Sequence, residues 1–250
     1  MTRIHSQGRS SRFSVPLLGR LLGLRGNAVL NDTLAGYILE HTRHFQSIIE
    51  VGAGPGALSQ SLLHRFREYI ILDKSGLALD VSRRLSPGIK QIHADILDFY
   101  TRERFDAVFS VGLADHFQEK DLHRLIIKHI EMASGEGSIF IGVRAFDPKA
   151  GPLAEIRRGV PERFPVDPRS EYKLAAWLKA HGLCFQKHYF DTIPQNSPWN
   201  RFIRRFNIIL YSLTKWNLEK FYPKDKGSFV LFLIDKSDVK ASCYFEQKYI

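Results

Sequence analysis

Between Ile48 and Leu63 the chain reads IIEVGAGPGALSQSLL, an apolar run that ends in one acid, Glu50, and opens into a turn of Gly52, Ala53, Gly54, Pro55 and Gly56. Glycines at this spacing let a backbone bend sharply and let a ligand approach it closely. Two carboxylates close later apolar runs, Asp73 in YIILDKS and Asp95 in HADILDF. An ionised carboxylate there is an acceptor on both oxygens. A polar pair, Asp115 and His116, then ends FDAVFSVGLADHF. Imidazole titrates near neutrality, so His116 is the candidate general base and Asp115 the residue to orient it or a substrate amine.

The glycines alone fit two cofactors. Gly52, Gly54 and Ala57 satisfy the dinucleotide pattern G-x-G-x-x-G/A, and Asp73 follows about 20 residues on, as that pattern asks. A pyrophosphate is opposed by Glu50, which places negative charge beside it, and by Pro55, which removes a backbone N–H from the turn. An acid at that position favours a cationic ligand.

The elements that must carry these residues follow from periodicity. QSIIEV, EYIILD, IKQIHAD, FDAVFSVG and GSIFIGVRA have the composition of strands. Between them lie a helical pattern with Ala57, Leu58, Leu62, Leu63 and Phe66 on one side, the segment GLALDVSRRL, and a helix with Leu122, Leu125, Ile126, Ile130 and Ala133 at helical spacing. Such alternation predicts an α/β fold, a parallel sheet with helices on both faces. Residues 145–169, rich in proline, glycine and charge, read as an irregular connection, after which Ser170 is the expected cap of a helix that Gly182 stops. LCFQKHYFDTI and GSFVLFLID are the last two strands. Between these two, Trp199, Phe202, Ile203, Phe206, Leu210 and Leu213 recur every three or four residues, with Arg201, Arg204 and Arg205 on the other side. That is a basic amphipathic helix, and packing on its own domain as a lid is its expected role, ahead of a membrane-surface one. Before the sheet, PLLGRLLGLRG and NDTLAGYILEHT predict short helices, the second capped by Asn31 or Asp32.

The run EVGAGPG resembles motif I of the class I S-adenosylmethionine-dependent methyltransferases, an acid followed after a spacer by G-x-G-x-G, matched at Glu50, Gly52, Gly54 and Gly56. The resemblance extends over residues 46–144. It implies that Asp73 holds the ribose hydroxyls, that Asp95 accepts from the adenine amino group with Ile96 flanking the ring, and that the acceptor meets the sulfonium in the loop after the fourth strand. Ala53, Lys74 and Ser110 complete the cofactor contacts it implies. The implied fold is a Rossmann-like αβα sandwich, a mostly parallel seven-stranded sheet with an antiparallel last strand. N-terminal helices precede the sheet and a helical insert precedes its last strand. In this reading, residues 1–45 are a basic segment and helical lid, 46–250 the methyltransferase domain, and 192–226 an insert that shapes acceptor specificity.

Absences narrow the acceptor. The D/N-P-P-Y/F or N-L-P-Y segment of enzymes that methylate exocyclic base amines is replaced by VGLADHF. That departure counts against an rRNA adenine dimethyltransferase, although GNAVLND followed by the glycine turn looks like the opening of one. Neither Cys184 nor Cys243 lies where a cytosine-C5 enzyme needs its nucleophile, and no histidine or cysteine spacing implies a metal. A small-molecule O- or N-methyltransferase is the expectation, with RNA methylation or binding and an NAD-dependent oxidoreductase as alternatives.

The net charge of +10 is local. Residues 1–31 carry five arginines and no acid, and residues 192–226 carry seven basic residues against Glu219 and Asp225. This pattern points to a local anionic partner or a solvated basic surface. Peripheral membrane contact through 199–221 belongs to the first of these. Two cysteines without a C-x-x-C pair, no apolar run of spanning length and no secretory h-region fit a cytoplasmic protein. The Arg/Ser-rich start also bears a slight likeness to a transit peptide.

Overall fold

The structure is a computed structural model that describes residues 29–145, 169–191, 198–222 and 227–239. Seven strands form one sheet in the order β3-β2-β1-β4-β5-β7-β6. The strands are β1 Ser47–Val51, β2 Glu68–Asp73, β3 Lys90–His93, β4 Phe105–Val111, β5 Ala133–Arg144, β6 Gln186–Phe190 and β7 Phe229–Asp235. β1 to β5 pair in parallel, and β7 runs antiparallel between β5 and β6. This is the mixed sheet that the sequence leads one to expect, with its single reversed strand last.

The β-branched and aromatic content of IIEV, YIIL and AVFSV is what makes these central strands: buried on both faces, they need continuous apolar runs and not alternation. One face packs against helix α1 (29–40), which contributes Leu34, Ala35, Tyr37 and Ile38, with Leu58, Leu62 and Leu79 from the connections after β1 and β2. The other face packs against α4 Glu119–Met132 and α5 Ser170–Ala180 through Leu122, Leu125, Ile126, Ile130, Leu174, Trp177 and Leu178. The result is three layers, helices on either side of the sheet.

Several local expectations are corrected. The helix after the glycine turn is one turn only, α2 Ser59–Leu62, followed by a 3-10 turn Leu63–Arg65. Its serines explain the brevity: Ser59 bonds Glu50 and the Gly56 carbonyl, and Ser61 bonds Asp32, so their hydroxyls serve local partners. Helix α3, Gly76–Leu85, is capped by Ser75, whose hydroxyl accepts from the Ala78 N–H at 3.2 Å. α1 is helical from Val29, so Asn31 and Asp32 lie inside it and cap nothing. Ser170 is the first residue of α5 and not its cap, while Gly182 does end it, at φ 66°. The segment PLLGRLLGLRG and most of the connection 145–169 fall outside the described residues.

The largest difference concerns α6, Pro198–Thr214, in the insert before β7. Its polar side faces the protein. Arg204 pairs with Asp191 at 2.7 Å, Tyr211 and Lys215 reach Asp32 at 3.0 and 3.1 Å, and Asn207 is buried. Trp199, Phe202, Phe206 and Leu213 face outward, so the expected packing of the apolar side on the domain does not occur. Asp191, Asp32 and the polar rim of the 217–219 turn offer ion-pair and amide partners where an apolar face would have found none.

Candidate functional site

The carboxyl ends of neighbouring parallel strands bring the sequence-distant acids together. Val51 of β1 lies opposite Leu72 of β2, and Asp73 opposite His93 of β3, so Glu50, Asp73 and Asp95 stand at one edge on three adjacent strands. Adjacent strands are about 4.8 Å apart, so Asp73 and Asp95 stand close together at this edge, with Glu50 buried behind them.

The glycine turn is held in a single conformation by its own backbone. Gly52, Gly54 and Gly56 adopt φ of 66°, 54° and 72°, values that favour glycine. Gly52 and Ala53 donate to the Leu72 carbonyl at 2.7 and 3.4 Å, Gly54 donates to Asp73 Oδ2 at 2.8 Å, and Gly56 donates to the Ala53 carbonyl at 2.9 Å. Pro55 has no N–H to give. The amides of Gly52, Ala53, Gly54 and Gly56 are therefore engaged within the protein, and α2 is a single turn. This geometry counts against the dinucleotide alternative on grounds that the glycine spacing could not.

Asp73 is fixed by its neighbours while keeping capacity to accept. Oδ2 takes the Gly54 N–H and Oδ1 takes the Ser75 N–H at 2.7 Å, one bond on each oxygen. Each carboxylate oxygen has a second lone pair, so both remain acceptors for a vicinal diol. Asp95 uses Oδ1 to accept from Leu97 N–H at 3.0 Å, and its Oδ2 lies 3.9 Å from Lys74 Nζ. Lys74 is exposed and partly balances the acids of this edge. Gly54, at the end of β1, and Gly112, after the neighbouring β4, both have open space where a side chain would stand. The donor set, acids with spare lone pairs and glycines beside open space, fits a nucleoside that carries hydroxyls, an amino group and positive charge.

Other expected contacts are placed differently. Glu50 is sealed inside, accepting from Tyr69 O–H at 2.8 Å and Ser59 O–H at 3.1 Å. Burial pushes its pKa up to about 7, Tyr69 and Ser59 pull it down, and Asp73 pushes it up again. Glu50 therefore stands behind the turn, joined to it through Ser59, which also bonds the Gly56 carbonyl. Ile96 packs into the core and shows no free face to a ring. Ser110 is fully buried, and its hydroxyl donates to His129 Nε2 at 3.1 Å. Because His129 Nδ1 faces the Leu125 carbonyl, an acceptor only, the proton sits on Nδ1. The Ser110 side chain thus joins β4 to α4 and points away from the ligand edge.

The loop after β4 turns at Gly112, φ 75°, into a 3-10 turn Ala114–His116. Asp115 is buried and accepts the Arg144 backbone N–H at 3.2 Å on both oxygens, which ties the loop to β5. His116 is exposed at the same edge as Asp73. Leu113, which the sequence did not mark, lies over Gly52, where an added Cβ would come within 2.7 Å of it. Tyr69 and Ser59, the partners of Glu50, were also not legible, since a tyrosine inside EYIILD and a serine nine positions on carry no spacing signal. Among the described residues no cluster of histidine, cysteine and acids is placed to hold a metal.

Residues 48–137 match a family model described as a methyltransferase domain. A methyltransferase of Oceanobacillus iheyensis is 23% identical over 119 residues, 47% of this chain and 55% of that protein. The chain thus spans about half the length of that curated relative. Among solved structures, the plantazolicin methyltransferase BamL, in complex with a triazolic desmethylPZN analog and SAH, superposes with a TM-score of 0.57 at 15% identity, covering 89% of this chain and 90% of that one. An S-adenosylmethionine-dependent methyltransferase from Clostridium acetobutylicum gives 0.53 at 12% identity, covering 83% and 91%. At these identities the structural likeness is one of fold.

Proposed function

We propose, for a chain whose residues 48–137 form a class I, Rossmann-like methyltransferase domain, that it moves the methyl group of S-adenosylmethionine to an oxygen or nitrogen of a small-molecule acceptor. One observation carries the reading. The turn amides are all engaged internally, while Asp73 and Asp95 keep free acceptor positions at an acidic edge. That arrangement suits ribose hydroxyls, an adenine amino group and a sulfonium, and it repels a pyrophosphate.

The cofactor supplies a methyl group on a cationic sulfur, ready for in-line displacement. The chain's own work is then to hold an acceptor close and aligned. Asp73, braced by Gly54 and Ser75, fixes the ribose; Asp95 receives the amino group; the loop from Gly112 to His116 faces the acceptor. His116, exposed at this edge, takes the proton that a hydroxyl or ammonium acceptor must lose. Asp115 positions that loop through Arg144. The insert 192–226 leaves β6 and returns to β7 at this same edge, which fits a role in acceptor choice. VGLADHF, standing where enzymes that methylate exocyclic base amines carry their base-holding segment, supports a small-molecule acceptor over RNA.

Calorimetry and thermal melting with S-adenosylhomocysteine and with NADH test the reading directly. Binding of the first and not the second is expected, and Asp73→Ala is expected to abolish it. A melting shift with NADH alone would reverse the assignment. In a methyl-transfer assay over hydroxyl and amine acceptors, His116→Ala is expected to lower turnover by about a hundredfold or more, the usual range for loss of a general base, with S-adenosylhomocysteine affinity unchanged.

A further inference from the structure

Helix α6 carries its apolar side outward in an ordered stripe. Trp199, Phe202, Phe206, Ile209 and Leu213 are 67%, 58%, 49%, 44% and 79% exposed. They follow one another at intervals of three and four, an arc of about 100° on a helix of 3.6 residues per turn. Trp199 and Phe202 stack with ring centres 5.6 Å apart, and Trp216 and Phe221 continue the apolar surface beyond the helix. The opposite side is locked down. Arg204 is paired with Asp191, and Asn207 bonds the Asn217 side chain at 2.9 Å and receives the Leu218 N–H at 2.6 Å. Tyr211 and Lys215 meet at Asp32. Rolling the stripe inward would break all of these contacts.

We propose that α6 docks the protein on an anionic lipid surface, its stripe entering the boundary between headgroups and acyl chains. Charge selects this occupant. Arg205 is exposed beside the stripe, and although Arg204 and Lys215 are paired with acids on the opposite side, the insert 192–226 is basic in sequence, with seven basic residues against two acids. A second copy of the chain would bring the same arginines against themselves. The chain's own residues 1–31, with five arginines and no acid, would do likewise. An anionic bilayer complements the basic insert that carries the stripe. Tryptophan at the head of the helix and again just past its end suits the interface, where one side of the ring is apolar and the other wet. The helix lies on the bilayer and does not span it, since no described helix is long and apolar enough to cross.

The proposal does not depend on the methyltransferase reading, and the two fail separately. Full-length protein is sedimented with vesicles of phosphatidylglycerol and phosphatidylcholine, and with phosphatidylcholine alone. Binding to the anionic vesicles that weakens with salt is expected. Phe206→Ser/Leu213→Ser, two exposed positions, is expected to lower partitioning by about tenfold or more, from the apolar area no longer buried. Arg205→Gln should weaken binding to the anionic vesicles. Circular dichroism and S-adenosylhomocysteine affinity identical to those of the native protein would exclude misfolding of these variants. No sedimentation at low salt, or equal sedimentation of the double variant, overturns the proposal. Light scattering that shows a dimer split by the double variant would assign the stripe to a second copy instead.

Discussion

Two buried titratable residues pull stability in opposite directions with pH. Glu50 has its pKa raised by burial to about 7 from an ordinary 4.5, so its contribution is present below about pH 4.5 and is lost as the pH rises through 7. His129 has its pKa lowered by burial to about 4 from 6.5, so its contribution is present above about 6.5 and is lost as the pH falls through 4. The windows overlap, and the native protein is expected to show little net change from this pair. Glu50→Gln removes one side of the balance. At about 1.4 kcal/mol per pKa unit, its stability should rise, relative to native, by about 2 kcal/mol between about pH 5 and about pH 7 in urea titrations. His129→Gln should show the opposite slope. Ser59 adds a local detail: one hydroxyl proton faces two acceptors, Glu50 and the Gly56 carbonyl. A protonated Glu50 can donate to Ser59 and release that proton to the glycine turn. Nearby, the buried Ser82 hydroxyl has no hydrogen-bond partner among the described residues and lies where a Gly56 side chain would come within 2.7 Å of it. Ser82→Ala is expected to be neutral or to stabilise by up to about 1 kcal/mol, because an unsatisfied hydroxyl is removed. Gly56→Ala, with positive φ and no room, should cost about 1–2 kcal/mol from backbone strain before any overlap. Their double mutant in thermal melts should recover part of that loss.

At the scale of elements, Asp32 links three of them. Its carboxylate accepts from Ser61 of α2 at 2.8 Å, Tyr211 of α6 at 3.0 Å and Lys215 just after α6 at 3.1 Å. Burial pushes its pKa up, and the bonds from Ser61, Lys215 and Tyr211 outweigh that and leave it lowered. Asp32→Ala is expected to loosen α6 with little effect on the sheet, at a cost of about 1–2 kcal/mol from the stranded donors. Faster hydrogen exchange confined to residues 198–222 would check it; uniform exchange across the chain would contradict it. The glycine turn makes a second lesson at this scale. Its sequence fits a helix N-terminus that binds phosphate, yet the serines after it shorten the helix to a turn and the turn's amides are spent on Leu72, Asp73 and Ala53. Glycine spacing does not record which acceptors fold back onto it.

Across the whole molecule, the ligand edge is linked to the core by the sheet itself, so ligand binding should report on global stability. At a hundredfold excess over its dissociation constant, S-adenosylhomocysteine is expected to add about 3 kcal/mol. For a chain of this size that is roughly 5–10 °C in a melt. Asp73→Ala should melt near the native apo temperature and show no such shift. In the sequence the basic excess belongs to the first 31 residues and to the insert, whereas Asp73 and Asp95 belong to the ligand edge, so cofactor binding and any lipid attachment should respond differently to salt.

Much of this was legible from residue order. Apolar runs separated by helical periodicity fixed the strands and their alternation, and right-handed crossovers left few ways to arrange them. Glu50, Gly52, Gly54, Gly56, Asp73 and Asp95 were identifiable because each ends a strand or turns the chain after one, and a parallel sheet must bring such ends to one edge. What the sequence could not determine was which way a side chain faces once several partners compete for it. Ser110 follows the alternation of β4 to His129, Asp115 turns in to the β5 backbone, and α6 turns its polar side to Asp191 and Asp32. Periodicity states that a helix has two faces. Only the tertiary structure decides which is buried, because that depends on partners more than a hundred residues away: Asp32 lies 179 positions before Tyr211.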